Sequence, residues 1–345
     1  SKDTSGYYLL KKGDFAYNKS YSVGYDYGSI KRLDRYEDGV VSTLYICMSL
    51  TSDTNSDYLT HYFDSMKWNK SVSEISAEGA RNHGLLNIPT ELFFQTKHFL
   101  APTLAEQQKI ANFLSNVDSI ITAETKILNA LQKKKKALMQ KLFTRQLRFK
   151  SDDGTDFPTW EEKKLGEISS SPKYGLNASG IDYDGKHKYL RITDIDEVTH
   201  TFSPEEITTP SEFSDDYLLE ENDIVFARTG ASTGKTYLYN PNDGDLYFAG
   251  FLIKFHIKDA NARFVFYQTC THEYEKWVHV MSTRSGQPGI NSEEYSTLKI
   301  KLPCIEEQQK IADCLSSMDS LIQTQQKVVT TWQQRKKALL QQMFI

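Results

Sequence analysis

Two segments of the chain combine glycine with side chains that donate hydrogen bonds. Residues 228–235 read Arg-Thr-Gly-Ala-Ser-Thr-Gly-Lys, and residues 284–291 read Arg-Ser-Gly-Gln-Pro-Gly-Ile-Asn. Side chains of these types bond to phosphate oxygens and base edges, and glycine lets the backbone approach a ligand closely. The segments therefore predict contacts with nucleic acid, although ordinary polar hairpin loops have a similar composition. The predicted contacts here are Arg228, Thr229, Ser232, Lys235, Arg284, Ser285, Gln287 and Asn291.

The first part of the chain contains rough counterparts of both segments. Residues 17–24 follow a predicted strand as residues 227–234 follow theirs, and residues 81–84 stand near the place of the second segment. Because the scaffold repeats while the loops differ, two such modules would recognise two different targets. The predicted contacts in this part are Lys19, Ser20, Tyr21, Arg81 and Asn82.

Motifs typical of enzymes are missing or incomplete. Residues 230–236 suggest a phosphate-binding loop, but only three residues separate Gly230 from Gly234 where that loop needs four. The sequence has no Asn-Pro-Pro or Asp-Pro-Pro tetrapeptide motif of a base methyltransferase, no H-E-x-x-H and no G-x-S-x-G. Its four cysteines include no C-x-x-C pair, which argues against a zinc site or a disulfide framework. The sequence therefore predicts no catalytic residues, no metal site and no cofactor in this chain.

The elements that must position the second set of loops are short strands and a helix. Residues 189–195, 223–228 and 250–257 are rich in β-branched and aromatic residues and are predicted to be strands, and residues 261–279 are predicted to form a helix. In the first part, residues 57–68 correspond to that helix.

An internal repeat organises the whole chain. Glu106-Gln107-Gln108-Lys109-Ile110-Ala111 recurs 201 residues later, and 19 of 38 positions are identical from Glu106 to Phe143 and from Glu307 to Phe344. A period this long is far beyond that of a solenoid, so the chain is a tandem duplication of one module. Each module consists of a variable globular part followed by a similar segment.

The repeated segment is predicted to be a long helix with an apolar stripe. It contains no Pro or Gly, and apolar residues recur at steps of three and four. Both copies are interrupted at matched positions, at Glu124 and Lys135 in the first and at Gln325 and Lys336 in the second. A stripe this long predicts that the two helices pair as an antiparallel coiled coil, although each helix packing on its own domain is the alternative. The predicted interface is Ile110, Leu114, Val117, Ile121, Leu128, Leu131, Leu138, Ile311, Leu315, Met318, Ile322, Val329, Trp332 and Leu339.

The 345 residues are too many for one ordinary domain and suit two medium domains. We predict an α+β fold in which two mixed α/β domains are joined by two long antiparallel helices with pseudo-twofold internal symmetry. The expected boundaries are a first domain at 1–103, a long helix at 104–143, a linker at 144–157, a second domain at 158–303 and a second helix at 304–345.

Charge is distributed unevenly. Residues 151–303 carry 15 basic and 26 acidic side chains, a net charge of −11, whereas residues 104–150 carry 10 and 3, a net charge of +7. The acidity of the second domain is a difficulty for DNA binding, because affinity for DNA depends strongly on phosphate neutralisation.

The Glu-Gln-Gln-Lys-Ile-Ala repeat, the two Lys-Lys-Ala-Leu segments (135–138 and 336–339) and the opening Trp160…Leu165-Gly166-Glu167-Ile168 together resemble the specificity (S) subunit of type I restriction-modification systems. The resemblance covers essentially the whole chain. It implies two target recognition domains held apart by the helices, each reading one half of a bipartite site in double-stranded DNA. It also implies two methyltransferase subunits and further restriction and motor subunits as partners, with S-adenosylmethionine, ATP and Mg expected in those partners.

We therefore expect a non-catalytic, cytoplasmic, DNA-binding subunit with no membrane segment. The first copy has no counterpart to residues 160–168, so the first recognition domain is expected to lack its N-terminal part. Two alternatives from other classes are a coiled-coil adaptor whose globular parts bind proteins, and a self-contained methyltransferase or nuclease.

Overall fold

The computed structural model describes residues 6–51, 53–76, 86–283 and 289–344. The chain divides into two compact units. Unit 1 is formed by residues up to Asn129 together with those from Gln323 onward, and unit 2 by Ala130–Ile322. Each unit therefore contains one globular segment and a part of each long helix. Within the described ranges, no helix has the length and apolar character needed to cross a membrane.

Unit 1 is built on a small antiparallel sheet whose strands, in order, are Ser29–Arg32 (β3), Phe15–Asn18 (β2) and Ile46–Met48 (β5). Tyr7–Lys11 (β1) and Asp38–Ser42 (β4) form a separate antiparallel pair. Phe15 and Tyr17 alternate with half-buried residues along β2, so one face of this sheet packs on the core. That core also contains Trp68 of the segment after the first helix. The elements are β1 Tyr7–Lys11, β2 Phe15–Asn18, β3 Ser29–Arg32, β4 Asp38–Ser42, β5 Ile46–Met48, α1 Ser56–Asp64, α2 Asn69–Ser73 and α3 Thr90–Gln95.

Unit 2 is built on a four-stranded sheet whose strands, in order, are Thr236–Leu238 (β12), Asp223–Ala227 (β11), Leu252–His256 (β14) and Lys173–Tyr174 (β7). The elements are β6 Glu161–Lys164, β7 Lys173–Tyr174, β8 Gly180–Asp182, β9 Lys188–Leu190, β10 Thr208–Pro210, β11 Asp223–Ala227, β12 Thr236–Leu238, β13 Leu246–Phe248, β14 Leu252–His256, α5 Ala262–Gln268, α6 His272–Ser282, α7 Ser292–Ser296 and β15 Lys299–Leu302.

Every residue of β11 is buried, because both faces of the central sheet are covered. Ile224 and Phe226 face one apolar cluster, which includes the helices, while Val225 and Ala227 face another. This alternation follows from the two-residue period of a strand. β11 is therefore a rigid element from which the loop after Ala227 departs.

Two expectations for this unit need correction. The predicted strand 189–195 ends at Leu190 and continues as a 3-10 turn at Ile192–Asp194. The predicted helix 261–279 is two helices, because the Thr271 hydroxyl accepts from the Tyr274 N–H and caps a new helix. Short polar side chains that bond to nearby backbone compete with helix continuation, and the sequence pattern of apolar residues does not reveal this.

The long helices span Leu104–Phe143 (α4) and Ile305–Met343 (α8). Every predicted interface residue is buried or half-buried. In unit 1, Ala111 and Leu114 of α4 share a core cluster with Leu340 of α8; in unit 2, Leu142 of α4 shares one with Leu315 of α8. The predicted α+β class with two long helices is therefore confirmed.

The polar interruptions of the stripe pair with polar groups of the other helix. In unit 1, Lys336 Nζ lies 2.7 Å from Asp118 Oδ1, and Gln325 Nε2 donates to Glu124 Oε2 at 2.6 Å. In unit 2, Lys135 Nζ lies 2.5 Å from Asp319 Oδ1. In unit 1, the residue with the higher number on α4 pairs with the residue with the lower number on α8, since Asp118 pairs with Lys336 and Glu124 with Gln325. The two helices are antiparallel there, as predicted.

The repeated Gln-Gln pair ties each long helix to its globular segment. In unit 1, Gln107 Oε1 accepts from the Asn55 backbone N–H at 2.8 Å, and Gln108 Oε1 accepts from Asn55 Nδ2 at 2.7 Å. In unit 2, Gln308 and Gln309 hold Asn261 in the same way, at 2.9 and 2.8 Å. Asn55 and Asn261 are the N-cap residues of α1 and α5. The most conspicuous motif of the sequence is therefore a structural clamp.

Candidate nucleic-acid interface

Arg228 is the first residue after the buried strand β11, and its backbone is held on both sides. Its N–H donates to the carbonyl of Phe251 at 3.0 Å, and its own carbonyl accepts from the Ile290 N–H at 2.9 Å. Thr229, the next residue, forms an isolated bridge with Gly289. The loop predicted from sequence therefore begins from a fixed backbone position.

The guanidinium of Arg228 is held in place as well. Its Nε–H donates to the carbonyl of Gly250 at 3.2 Å, and its carbon Cζ lies 5.0 Å from the ring centre of Tyr174. The Tyr174 hydroxyl in turn accepts from the Ser292 N–H at 3.1 Å. Within the described part of the chain, the two terminal nitrogens of Arg228 have no hydrogen-bond partner. This arginine is therefore oriented while its paired donors remain available.

Arg228 lines an open cleft of about 700 Å³ in unit 2. The cleft lies between three chain segments, 174–180, 189–193 and 249–251. Gly175 permits their close approach, since a Cβ there would lie 2.2 Å from the carbonyl oxygen of Ala249. At the cleft Phe251 is 59% exposed.

A second arginine lines the same cleft. Arg191 Nε and Nη2 donate to the two carboxylate oxygens of Asp194, both at 2.9 Å, and Asp194 is buried. No motif in the sequence pointed to Arg191, Tyr174 or Phe251. Arg191 follows β9 directly, as Arg228 follows β11, but the predicted strand 189–195 had placed Arg191 inside a strand, so no such signal was available from the sequence.

The other predicted contacts of unit 2 have varied surroundings. Lys235 is only 11% exposed, and its ammonium donates to the carbonyl of Ile195 at 3.0 Å and lies 3.4 Å from Glu197. The Asn291 side chain accepts from the Glu294 N–H and caps α7. Thr229 and Ser232 are half-buried. Arg284, Ser285 and Gln287 lie outside the described residues.

In unit 1, Lys19 occupies the position that Arg228 occupies in unit 2. It is the first residue after β2, and its carbonyl accepts from the Leu86 N–H at 3.0 Å, as that of Arg228 accepts from Ile290. The following residues Ser20 and Tyr21 are exposed. Arg81 and Asn82 lie outside the described residues. The two strand ends therefore present different cations, a lysine and an arginine.

One group of three residues in the described ranges has the types and spacing of metal ligands: Glu220, Asp223 and His256. The buried Asp223 carboxylate lies 3.0 Å from the Lys254 ammonium and 2.9 Å from His256 Nδ1, and it also accepts from the Glu220 N–H. These partners use the carboxylate oxygens, and the ammonium repels a second cation. The group is therefore better explained as a structural ion-pair network at the start of β11.

The helix pair of unit 1 carries an apolar groove of about 530 Å³. Phe113 is 47% exposed there, and the Arg335 guanidinium lies 5.2 Å from the ring centre of Trp332. The other lining residues are Asn116, Val117, Ile120, Ala338, Leu339 and Gln342. Together these residues form a small apolar surface on the helix pair.

Comparisons with known proteins agree on one family. The model of the type I restriction modification DNA specificity domain matches residues 158–331. The type I restriction enzyme MjaVIII specificity subunit of Methanocaldococcus jannaschii is 28% identical over 321 residues, which cover 88% of this chain and 72% of that protein. The putative type I restriction enzyme MjaX specificity subunit of the same organism is 25% identical over 301 residues, 82% of this chain and 65% of that protein.

Two solved structures have a similar fold. The type I restriction-modification S subunit from M. genitalium matches with a TM-score of 0.56 at 14% identity, over 97% of this chain and 84% of that one. A chain from a study of complex assembly and conformational transition of the type I R-M system matches with a TM-score of 0.57 at 16% identity, over 97% and 83%.

Proposed function

Because the chain belongs to the type I restriction-modification DNA specificity family, we propose that it is the DNA-recognising subunit of a type I complex and has no catalytic residues of its own. The observation that carries this proposal is the Arg228 site. A guanidinium held by Gly250 and Tyr174, with its terminal donors unpaired among the described residues, suits hydrogen bonding to base edges.

The target is bipartite in this proposal. In each unit the residue directly after a central strand is a cation, Lys19 after β2 in unit 1 and Arg228 after β11 in unit 2. The loops that follow these two residues differ in sequence. Each unit then reads one half-site, and the two half-sites lie about one duplex turn apart, on the order of 34 Å. The long helices would fix this separation.

The partners in this proposal are two methyltransferase subunits, which dock on the helices, and restriction and motor subunits. The groove with Phe113 and Trp332 is the favoured docking surface in unit 1, since it is apolar and partly exposed. The partners would supply S-adenosylmethionine, ATP and Mg chemistry. The change Phe113→Asp is expected to reduce co-purification with the methyltransferase subunit, whereas Ala123→Asp, at an exposed position of the same helix outside the groove, should leave it unchanged.

The separation of the half-sites can be tested by lengthening the helices. Four residues inserted near Gln132 of α4, matched by four near Ile322 of α8, keep the antiparallel pairing on either side. Gln132 lies three residues before Lys135, and Ile322 three residues after its partner Asp319. Genome-wide mapping of methylated adenines should then find a changed number of unread base pairs between the half-sites. An unchanged spacer would reject the role of the helices in setting the gap.

The acidity of residues 151–303 favours a second candidate, a coiled-coil adaptor that binds proteins without direct DNA recognition. Retention by duplex DNA at increasing salt, with the methyltransferase subunit present, distinguishes the two, because DNA binding through phosphates weakens steeply with salt. Incubation of the purified chain with DNA, S-adenosylmethionine and Mg²⁺ tests for an activity of its own, and we expect no product.

A further inference from the structure

We propose that the cleft of unit 2 is a guanine-reading site, in which Arg228 contacts the base and Tyr174 positions Arg228. The inference rests on the proposed function, since it requires that unit 2 binds DNA. It goes further by assigning one base and by separating the residue that reads from the residue that orients.

The choice of guanine follows from the donors that remain. The Nε–H of Arg228 is already bonded to Gly250, so the side chain presents its two terminal nitrogens as a pair of donors. In the major groove only guanine offers two neighbouring acceptors, N7 and O6. Adenine pairs one acceptor with a donor, thymine offers one acceptor beside a methyl group, and cytosine offers a donor. A fixed pair of donors therefore discriminates for guanine.

The positioning comes from Tyr174. Its ring lies under the guanidinium at 5.0 Å, and its hydroxyl is anchored by the Ser292 N–H. Tyr174 ends β7, which pairs with β14, so the ring belongs to the same sheet as the strand that delivers Arg228. Holding a long side chain in one conformation before binding removes the entropy cost that a free side chain incurs on binding.

Two further side chains fit a base-reading cleft. Phe251 exposes an apolar face beside Gly250, where it would contact the neighbouring base, as apolar side chains contact the thymine methyl group. Arg191 keeps one terminal nitrogen, Nη1, free of its Asp194 bonds and suits a phosphate oxygen.

The charges at the cleft explain how a domain with a net negative charge can bind DNA. The charged side chains that line it are Arg191 and Arg228, and among the described residues Asp194 is the one acidic group that forms an ion pair with either arginine. The cleft is therefore locally basic although residues 151–303 carry a net charge of −11. Because fields from exposed charges are screened beyond about 10 Å at 0.1 M salt, this local balance matters more than the net charge of the domain.

The experiment is a selection from a randomised duplex DNA library by the full chain in complex with its methyltransferase subunits, followed by sequencing. The wild-type chain should enrich a motif that contains a guanine. The change Arg228→Ala should reduce the preference for that guanine by about 5- to 150-fold and leave the other positions of the motif unchanged. Lys276→Ala removes an exposed cation of unit 2 that does not line the cleft, and it should leave every position unchanged.

Variants of Tyr174 separate positioning from general damage to the fold. Tyr174→Leu removes the ring and should weaken the same guanine preference, whereas Tyr174→Phe keeps the ring and should restore it. Arg228→Lys keeps the charge but not the fork, so it should lose the guanine preference while its binding to random duplex stays within about twofold of wild type. Arg228→Lys also tests the guanine-reading role if Arg228→Ala does not fold.

The possible outcomes test separately the role of Arg228, the role of Tyr174 and the proposed function. If the wild-type chain enriches a motif and both Arg228 variants keep every position of it, the guanine-reading role is wrong and the proposed function survives. If Tyr174→Leu retains the full preference, Tyr174 has no positioning role. If the wild-type chain enriches no motif, the proposed function itself fails and this inference falls with it.

Discussion

The buried carboxylate of Glu307 gives the most specific stability prediction for unit 2. Glu307 has no solvent exposure, and Arg148 binds it through two contacts, Nε to Oε1 at 3.1 Å and Nη2 to Oε2 at 2.7 Å. The Trp160 indole N–H donates to Oε2 at 3.1 Å. Arg148 Nη2 also donates to the carbonyls of Phe157 and Pro158. The ion pair of Arg148 and Glu307 therefore joins the start of α8 to the segment that follows α4.

The magnitudes follow from which charge is left without a partner. Arg148→Ala strands the Glu307 carboxylate in the interior, and removal of one partner of a buried pair costs about 3–5 kcal/mol. Glu307→Gln leaves Arg148, which is 28% exposed and keeps its carbonyl partners, so its cost should be about 1–2 kcal/mol. The double variant should be more stable than Arg148→Ala alone, because it contains no buried charge.

The assay is urea denaturation followed by circular dichroism and tryptophan fluorescence, with a double-mutant cycle. The repeat supplies a matched control. Glu106 occupies in α4 the position that Glu307 occupies in α8, but it is exposed, so Glu106→Gln should change the free energy of unfolding by no more than about 0.5 kcal/mol. If Arg148→Ala costs less than about 1 kcal/mol, or if the cycle finds no coupling, the carboxylate is not held as described.

Three further predictions concern other parts of the fold. Leu114→Ala should lower the stability of unit 1 by about 2–5 kcal/mol in urea denaturation, because the side chain is fully buried in its core; a loss below 1 kcal/mol would contradict that packing. Gly234→Ala should destabilise unit 2 by more than about 1 kcal/mol, since φ is +92° and the new Cβ would lie 2.5 Å from Val278; an unchanged melting temperature would refute this. Burial lowers the pKa of His61 below 6.5, so as the pH falls the unfolded state binds a proton before the folded state does, and unit 1 should lose stability below pH 6.5. His61→Gln should flatten this dependence in melting curves recorded at a series of pH values. An equally steep dependence in the variant would exclude His61 as its source.

The helical part of the fold was predictable because its signals are local and repeated. A segment without Gly or Pro and with a stripe at steps of three and four specifies an amphipathic helix, and Lys135 and Lys336 interrupt both copies at the same place. The interruptions indicated a partner helix, and their partners Asp319 and Asp118 are charged residues of that helix. The sequence did not reveal that the Gln-Gln pair clamps an N-cap, because that contact joins residues about 50 positions apart.

The candidate site was less predictable because tertiary contacts create it. Arg228 was found from its loop composition, but its platform Tyr174 lies 54 positions earlier in a two-residue strand. Lys235 lies in the same loop as Arg228, yet its ammonium donates to the carbonyl of Ile195. The sequence does not reveal that these two residues are neighbours. Composition thus identifies residues capable of reading a base, and only the fold decides which of them remain available.

The order of the units along the chain has a consequence for synthesis on the ribosome. Unit 2 is one continuous stretch, Ala130–Ile322, whereas unit 1 needs residues from both sides of it. Phe344 is buried, and its ring lies 5.2 Å from that of Tyr58 and 5.6 Å from that of Tyr62 in the core of unit 1. The globular segment of unit 1 must therefore wait for the residues from Gln323 onward, which are translated after all of unit 2, so the core of unit 1 is completed after that of unit 2.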